Sequence, residues 1–379
     1  MHVQQSRWTP TSGWEPILTL HEGKTAQWVL VFGSSSTLRN PESTQTLRAA
    51  YPNALISGCS TAGEILDTQV TDESLVATAI YFDHTTVKGQ AIQLEQGKSS
   101  FVIGQELGQL LDPEGLVHVF VLSDGLAVNG SELVNGLAQA LPKGVTLTGG
   151  LSGDGDRFQE TWTLWDGATE RNRVVAIGLY GDRLRVGYGS WGGWTPFGPE
   201  RVITESQGNV LYKLDGQSAL QLYKTYLGDH VDALPAAGLL FPLSLRTQID
   251  DRRLVRTILS ISEADQSLTF AGDMPEGTMA QLMHASFDRL VDGAIEAAET
   301  SYEAIGSTAP TLAILISCVG RKLLLKQRIE EEVEGVREVL GSQTAITGFY
   351  SYGEISPFAP GATCELHNQT MTITTLLEV

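Results

Sequence analysis

Three stretches of the chain repeat one arrangement of apolar and polar positions. "WVLVFGSSSTL" (28–38), "HVFVLSDGLAV" (118–128) and "LAILISCVGRK" (312–322) each run apolar and then turn to small polar residues. A period-free apolar run bounded by turn residues predicts a strand buried on both faces. Amphipathic spacing follows in "ELVNGLAQAL" (132–141) and "IEEEVEGVREVL" (329–340), where apolar residues recur at i, i+3 and i+4. A second strand with a glycine loop comes next: "ALISGCSTAGEI", "VTLTGGLSGDGD" and "TAITGFYSYGEI". A further strand completes each unit, as "SLVATAIYF", "RVVAIGLYG" and "TMTITTLLE".

The loops carry a finer repeat. A hydroxyl–glycine pair (Ser57-Gly58, Thr148-Gly149, Thr347-Gly348) precedes another hydroxyl by three residues (Thr61, Ser152, Ser351). The predicted fold class is α/β: two domains built from repeated strand–helix–strand units, with mixed sheets covered by helices. A Trp, Gly and Pro cluster within 189–228 punctuates the middle of the chain, and Asp215-Gly216 makes a tight turn. The reading is an N-terminal segment 1–25, an N-terminal domain 26–215 and a C-terminal domain 216–379. "SFDRLVDGAIEAAETSYEAI" (286–305) is the longest helical pattern.

Composition narrows the function classes. At 379 residues the chain exceeds a usual single core, in keeping with two domains. A formal charge of −19 speaks against nucleic acid, whose phosphates favour basic surfaces, and against anionic membranes. Runs such as "WVLVF" are too short for membrane insertion, and the first residues lack a secretory signal, so the expected localisation is cytoplasmic. Three widely spaced cysteines without a C-x-x-C carry no signature of a disulfide scaffold, a zinc knuckle or covalent c-type haem.

Glycines after buried strands let backbone amides approach an anion, and hydroxyls add donors. The expectation is one shared ligand cleft made by Gly58, Cys59, Thr61, Gly149, Ser152, Gly348, Tyr350 and Ser351. Neither a P-loop nor the G-x-G-x-x-G register occurs, so nucleotide binding has weak support. A Cys59 nucleophile needs a histidine base, and none neighbours it in sequence. The chain is therefore read as no enzyme, with a cysteine-dependent enzyme as the last alternative.

On "SGCSTAGEI", "TGGLSGDGDRFQET", "WTPFGPERVITESQGNVLYKLDGQSALQLY" and "ITGFYSYGEISPF", in that order, the chain resembles the FIST sensory family. The resemblance covers both its N- and C-terminal domains, from about Trp28 onward. It implies an intracellular input module for small ligands in bacterial signal transduction, here without an output domain. Stand-alone members include haem-containing nitric oxide sensors. These act on a separate histidine kinase of a two-component system, or on a cyclic-di-GMP enzyme (diguanylate cyclase or phosphodiesterase). The resemblance thus implies a small-molecule or gas ligand, haem as cofactor and such an enzyme as partner. The alternative is a haem-free sensor of an amino acid or other small anion.

Haem needs an axial ligand and an apolar slot. His284 is the candidate metal ligand, with Met283 and Phe287 as walls, and Arg321, beside Lys322, is the candidate partner of a propionate. His118, His367, Tyr350 and Tyr352 stay open as alternatives, while His2 and His21, which precede the resemblance, read as surface and His84 and His230 as solvated turns. Trp191, Trp194, Phe197, Phe349 and Tyr350 line either a flat cofactor pocket or ordinary core.

Overall fold

The computed structural model describes residues 1–234, 236–246, 253–358 and 361–379, with backbone alone at 230, 232, 233, 236 and 237. The expected α/β class is what the chain adopts: strand–helix–strand units repeat, and their mixed sheets are covered by helices.

Each unit builds its own sheet around three strands. The first strand (Trp28–Gly33, Leu116–Ser123, Leu312–Cys318) is parallel to the second (Leu55–Ser60, Thr146–Leu151, Ala345–Ser351). It is antiparallel to the last strand (Leu75–Tyr81, Arg173–Tyr180, Met371–Glu378). A further strand then pairs with each last strand: His2–Thr9, itself flanked by Gly13–Glu15, and the edge strands Thr86–Gln93 and Leu184–Trp191. The segment before residue 26, set apart in the sequence reading, thus contributes a strand to the first sheet.

The remaining sheet edge is filled by a neighbour. Between its second and last strands each unit sends out a short strand that pairs with another unit's second strand. Glu64–Leu66 of the first unit joins the third sheet. Gly353–Pro357 of the third joins the second sheet. Thr163–Trp165 of the second joins the first sheet. The loan is cyclic: each lent strand carries its hairpin partner (Gln69–Thr71, Cys364–His367 and Ala168–Glu170) to the outer edge, so each unit lends one hairpin and borrows one.

Alternation along the strands decides what faces inward. Trp28, Leu30, Phe32, Phe120, Leu122, Leu312, Ile314 and Ile316 meet in one central core between the three sheets. The intervening Val29 and Val31, Val119 and Val121, and Ala313 and Leu315 pack outward under the helices. Those helices are Pro41–Ala50 for the first unit, Ser100–Leu110 and Gly130–Ala140 for the second, and Phe287–Ala304 and Ile329–Leu340 for the third.

Inserted in the third unit, between its edge strand and the helix Phe287–Ala304, lies a separate antiparallel sheet. It runs from Thr195–Gln207 to Met279–His284, with the helix Ala219–Leu227 on it and its own core around Leu211, Leu220, Tyr223, Leu268 and Phe270. No helix among the described residues is long and apolar enough to cross a membrane.

Candidate functional site

The repeated glycines serve close strand approach. A Cβ on Gly58, Gly149 or Gly348 would lie 2.0, 1.9 and 1.9 Å from the carbonyl oxygens of Val31, Val121 and Leu315 respectively. These positions are equivalent in the three units, as the sequence spacing predicts. Cys59 faces the central core and is fully buried, which pushes its thiol pKa well up.

The hydroxyl loops converge on the hub where the units meet. Three backbone hydrogen bonds tie them in a ring: Ala62 N to Tyr350 O at 2.8 Å, Tyr352 N to Leu151 O at 3.2 Å, and Gly153 N to Ser60 O at 2.9 Å. The loops therefore clasp one another. Thr61 Oγ1 donates to Glu64 at 2.5 Å, Ser351 Oγ to Glu354 at 2.6 Å, and Ser152 Oγ to the Ser123 carbonyl at 2.7 Å. Glu64 also accepts from the amide and hydroxyl of Ser74, and Glu354 from those of Thr370. Burial pushes Glu64 up to about 7 and Glu354 to about 8, against the lowering effect of these hydrogen bonds.

The expected common cleft is thereby reduced. A hub cavity of about 300 Å³ remains, walled by Thr61, Gly63 and Glu64 from the first unit, Arg157 from the second, and Val319 and Lys322 from the third. Ser152, Ser351 and the three repeated glycines do not line it.

The haem set is dispersed. Met283 is buried, whereas His284, the next residue on the same strand, is exposed with its ring 5.6 Å from that of Phe197. Successive strand residues point to opposite faces, so the apolar neighbour and the imidazole cannot share one wall. Phe287 is 42% exposed and lies under the Arg328 guanidinium. Arg321, expected on a binding rim, is fully buried in an ion pair with Glu332 at 2.7 Å. Tyr350 is buried too and donates to Glu332 at 2.6 Å, and burial pushes its phenol pKa well up. Of the other imidazoles, His118 is buried, which lowers it to about 3. His367 Nε2 lies 2.8 Å from the Ser356 carbonyl. His2 and His21 stack on each other, His84 Nε2 lies 3.2 Å from Arg183, and the His230 side chain falls outside the described residues.

A larger basin, of about 640 Å³, opens where the inserted sheet meets the third unit. The "WGGW" turn, Trp191 to Trp194, forms one wall, and Met283 and Val255 come from the inserted sheet. Gly193 has φ +80°, and a Cβ there would sit 2.0 Å from the Arg289 carbonyl, so only glycine lets this turn lie flush on the long helix. Trp194 is anchored by its indole N–H to the Gln369 carbonyl at 2.8 Å, and Phe358 stands 5.8 Å from the Trp191 ring.

The adjoining wall is the helix Phe287–Ala304, which the Trp191 indole N–H also reaches at Thr300 Oγ1, 3.3 Å away; this helix presents Arg289, Asp292 and Glu296 to the basin. Their i, i+3, i+7 spacing puts all three on one helical face. Arg253 also reaches the rim, but it already bonds to Gln281 at 2.9 Å and Glu200 at 3.2 Å. Among the described residues the Arg289 guanidinium has no hydrogen-bond or ion-pair partner. The basin therefore offers one unengaged cation, two carboxylates and an aromatic wall. Sequence reasoning picked out Trp191, Trp194 and Met283 but missed Arg289, Asp292 and Glu296. The helical period held that signal, which only the position of the turn makes meaningful.

Comparison with known proteins gives a family. A FIST N domain profile matches residues 27–217, and a FIST C domain profile matches residues 219–357. No curated protein sequence matches the chain significantly. Among solved structures, a cyanuric acid hydrolase from A. caulinodans aligns over 100% of this chain and 99% of its own, at 7% identity and a TM-score of 0.41. A second cyanuric acid hydrolase structure aligns over the same shares at 9% identity and a TM-score of 0.37.

Proposed function

The chain belongs to the FIST family of small-ligand sensor domains found in signalling proteins, and we propose that the aromatic basin is its ligand seat. The proposed ligand is a free amino acid or a similar small zwitterion. One observation carries the reading: Arg289, Asp292 and Glu296 share a helix face and line one basin together with Trp191, Trp194 and Met283. A carboxylate meets Arg289, an ammonium group meets Asp292 and Glu296, and an apolar side chain lies against the aromatic wall. The volume suits a small ligand.

Haem does not fit the residues present. His284 stands outside the basin, Arg321 is consumed by Glu332, and the imidazole of His367, which does line the basin, already engages Ser356. A thiol enzyme has no support either, because Cys59 is closed off in the central core.

A sensor of this kind passes its signal by a ligand-driven shift between arrangements, which requires the ligand to favour one of them. The basin suits that role because its walls come from the inserted sheet and from the third unit. The proposed recipient is a separate histidine kinase or cyclic-di-GMP enzyme. Calorimetric titration of the purified protein with each of the twenty standard amino acids tests the seat. At least one should bind, and Arg289→Ala should weaken it about tenfold or more, the value of a lost charge-assisted hydrogen bond. No binding across the panel, or unchanged affinity in Arg289→Ala, would overturn the proposal.

A further inference from the structure

The short helix Val319–Leu325 lines the hub cavity, and two consecutive residues of it reach in different directions. Lys322 faces the hub: its ammonium donates to the Ala62 carbonyl at 2.9 Å, pairs with Asp72 and lies 5.7 Å from the Tyr350 ring centroid. Arg321 is buried and reaches the backbone behind the basin walls. Its Nη1 donates to the carbonyl of Gly192 at 2.6 Å, and its Nη2 to that of Leu290 at 2.7 Å. Gly192 belongs to one basin wall, and Leu290 sits in the turn of the other that carries Arg289.

We propose that Arg321, Glu332 and Tyr350 form a relay through which occupancy of the basin is read at the hub. The proposal rests on the basin being the ligand seat. Arg321 joins the two basin walls, and Glu332 holds Arg321 through contacts at 3.1 and 2.7 Å. The other oxygen of Glu332 accepts from Tyr350 at 2.6 Å and Ser317 at 3.2 Å. Tyr350 in turn exchanges two backbone hydrogen bonds with the first unit, giving its carbonyl to Ala62 and its amide to Gly63. Both members of the ion pair are fully buried, so separating them would strand charge in the interior. The triad therefore moves as one body. A shift of the "WGGW" turn or of the long helix reaches Tyr350 and the hub ring with it.

The test fills the basin without needing the natural ligand. The three native cysteines are buried, so Glu296→Cys supplies one accessible thiol for monobromobimane. A blue shift of the bimane emission certifies that the probe lies inside the basin rather than in solvent. Hydrogen exchange is then compared with and without the label. The expected result is at least a threefold change in exchange over both the Gly192–Leu290 walls and the hub amides of Ala62, Tyr350 and Tyr352. In Tyr350→Phe, which loses one hydroxyl, the wall change should persist and the hub change should vanish. A hub response that survives Tyr350→Phe, or a filled basin with no hub response in the otherwise native protein, overturns the relay. Neither outcome depends on whether an amino acid binds.

Discussion

Trp28 and His118 occupy the same register position in successive units, and each satisfies the hydroxyl that precedes the buried glycine. Trp28 Nε1 donates to Ser57 Oγ at 2.8 Å, and His118 Nε2 lies 3.1 Å from Thr148 Oγ1. In the third unit Leu312 takes that position, and the buried Thr347 hydroxyl is left without a partner. Thr347→Val keeps the shape and removes a desolvated hydroxyl. It should stabilise the protein by about 1 kcal/mol, measured as a higher urea midpoint at unchanged m-value. The same change at Thr148, which is bonded to His118, should lower the midpoint instead.

Stability should fall as pH rises from about 4.5 to 8. Glu64 and Glu354 have folded-state pKa values raised to about 7 and about 8, above the ordinary carboxyl value they regain on unfolding. A carboxyl raised in this way favours the folded state fully below its unfolded pKa. It loses that contribution as pH climbs through the folded one. Each should account for roughly 2–4 kcal/mol across the window. Urea melts at intervals between pH 5 and pH 8.5 should show the decline, and Glu64→Gln should flatten its lower part.

Alanine at Gly58 or Gly348 should prevent accumulation of soluble protein. The added Cβ would meet a backbone carbonyl at about 2 Å in the middle of a parallel pair, where neither strand has room to move. Gly208 is the contrast. Its φ is +57° with open space around the missing Cβ, so Gly208→Ala should cost only about 1 kcal/mol and leave the protein soluble.

Native protein should be inert to thiol reagents. Cys59, Cys318 and Cys364 are all buried, and burial raises each thiol pKa. Ellman's reagent should find essentially no thiol before guanidinium is added and three afterwards. A rapidly reacting Cys59 in the native state would reopen the thiol-enzyme reading.

The three units were legible because their first strands are apolar throughout and their glycines must sit where side chains cannot. Both constraints act within a few residues and leave a mark on the sequence. What could not be read is who borrows whose strand, since Glu64–Leu66 and Thr163–Trp165 are three residues long and their partners lie far away in the chain. Arg321 and Lys322 show the limit at the site. They are adjacent and chemically alike, yet one helix sends the first into a buried ion pair and the second to a cavity. His284 shows a related limit: it ends the strand Met279–His284, and which face of that strand it takes depends on a register with Thr195 that local sequence does not carry.

Cyclic lending of strands also bears on how the chain reaches this structure. Glu64 pairs with Phe349, so the third sheet cannot be finished until nearly the whole chain is present. Contacts of such sequence separation slow folding, because loop closure precedes any reward from pairing. A fragment ending near residue 217 would keep the 64–66 strand with no sheet to join, and would expose the Thr146–Leu151 edge that Gly353–Pro357 covers. Such bare edges invite aggregation. The two matched halves are thus separable as sequence but not as structure, because each completes a sheet edge of the other.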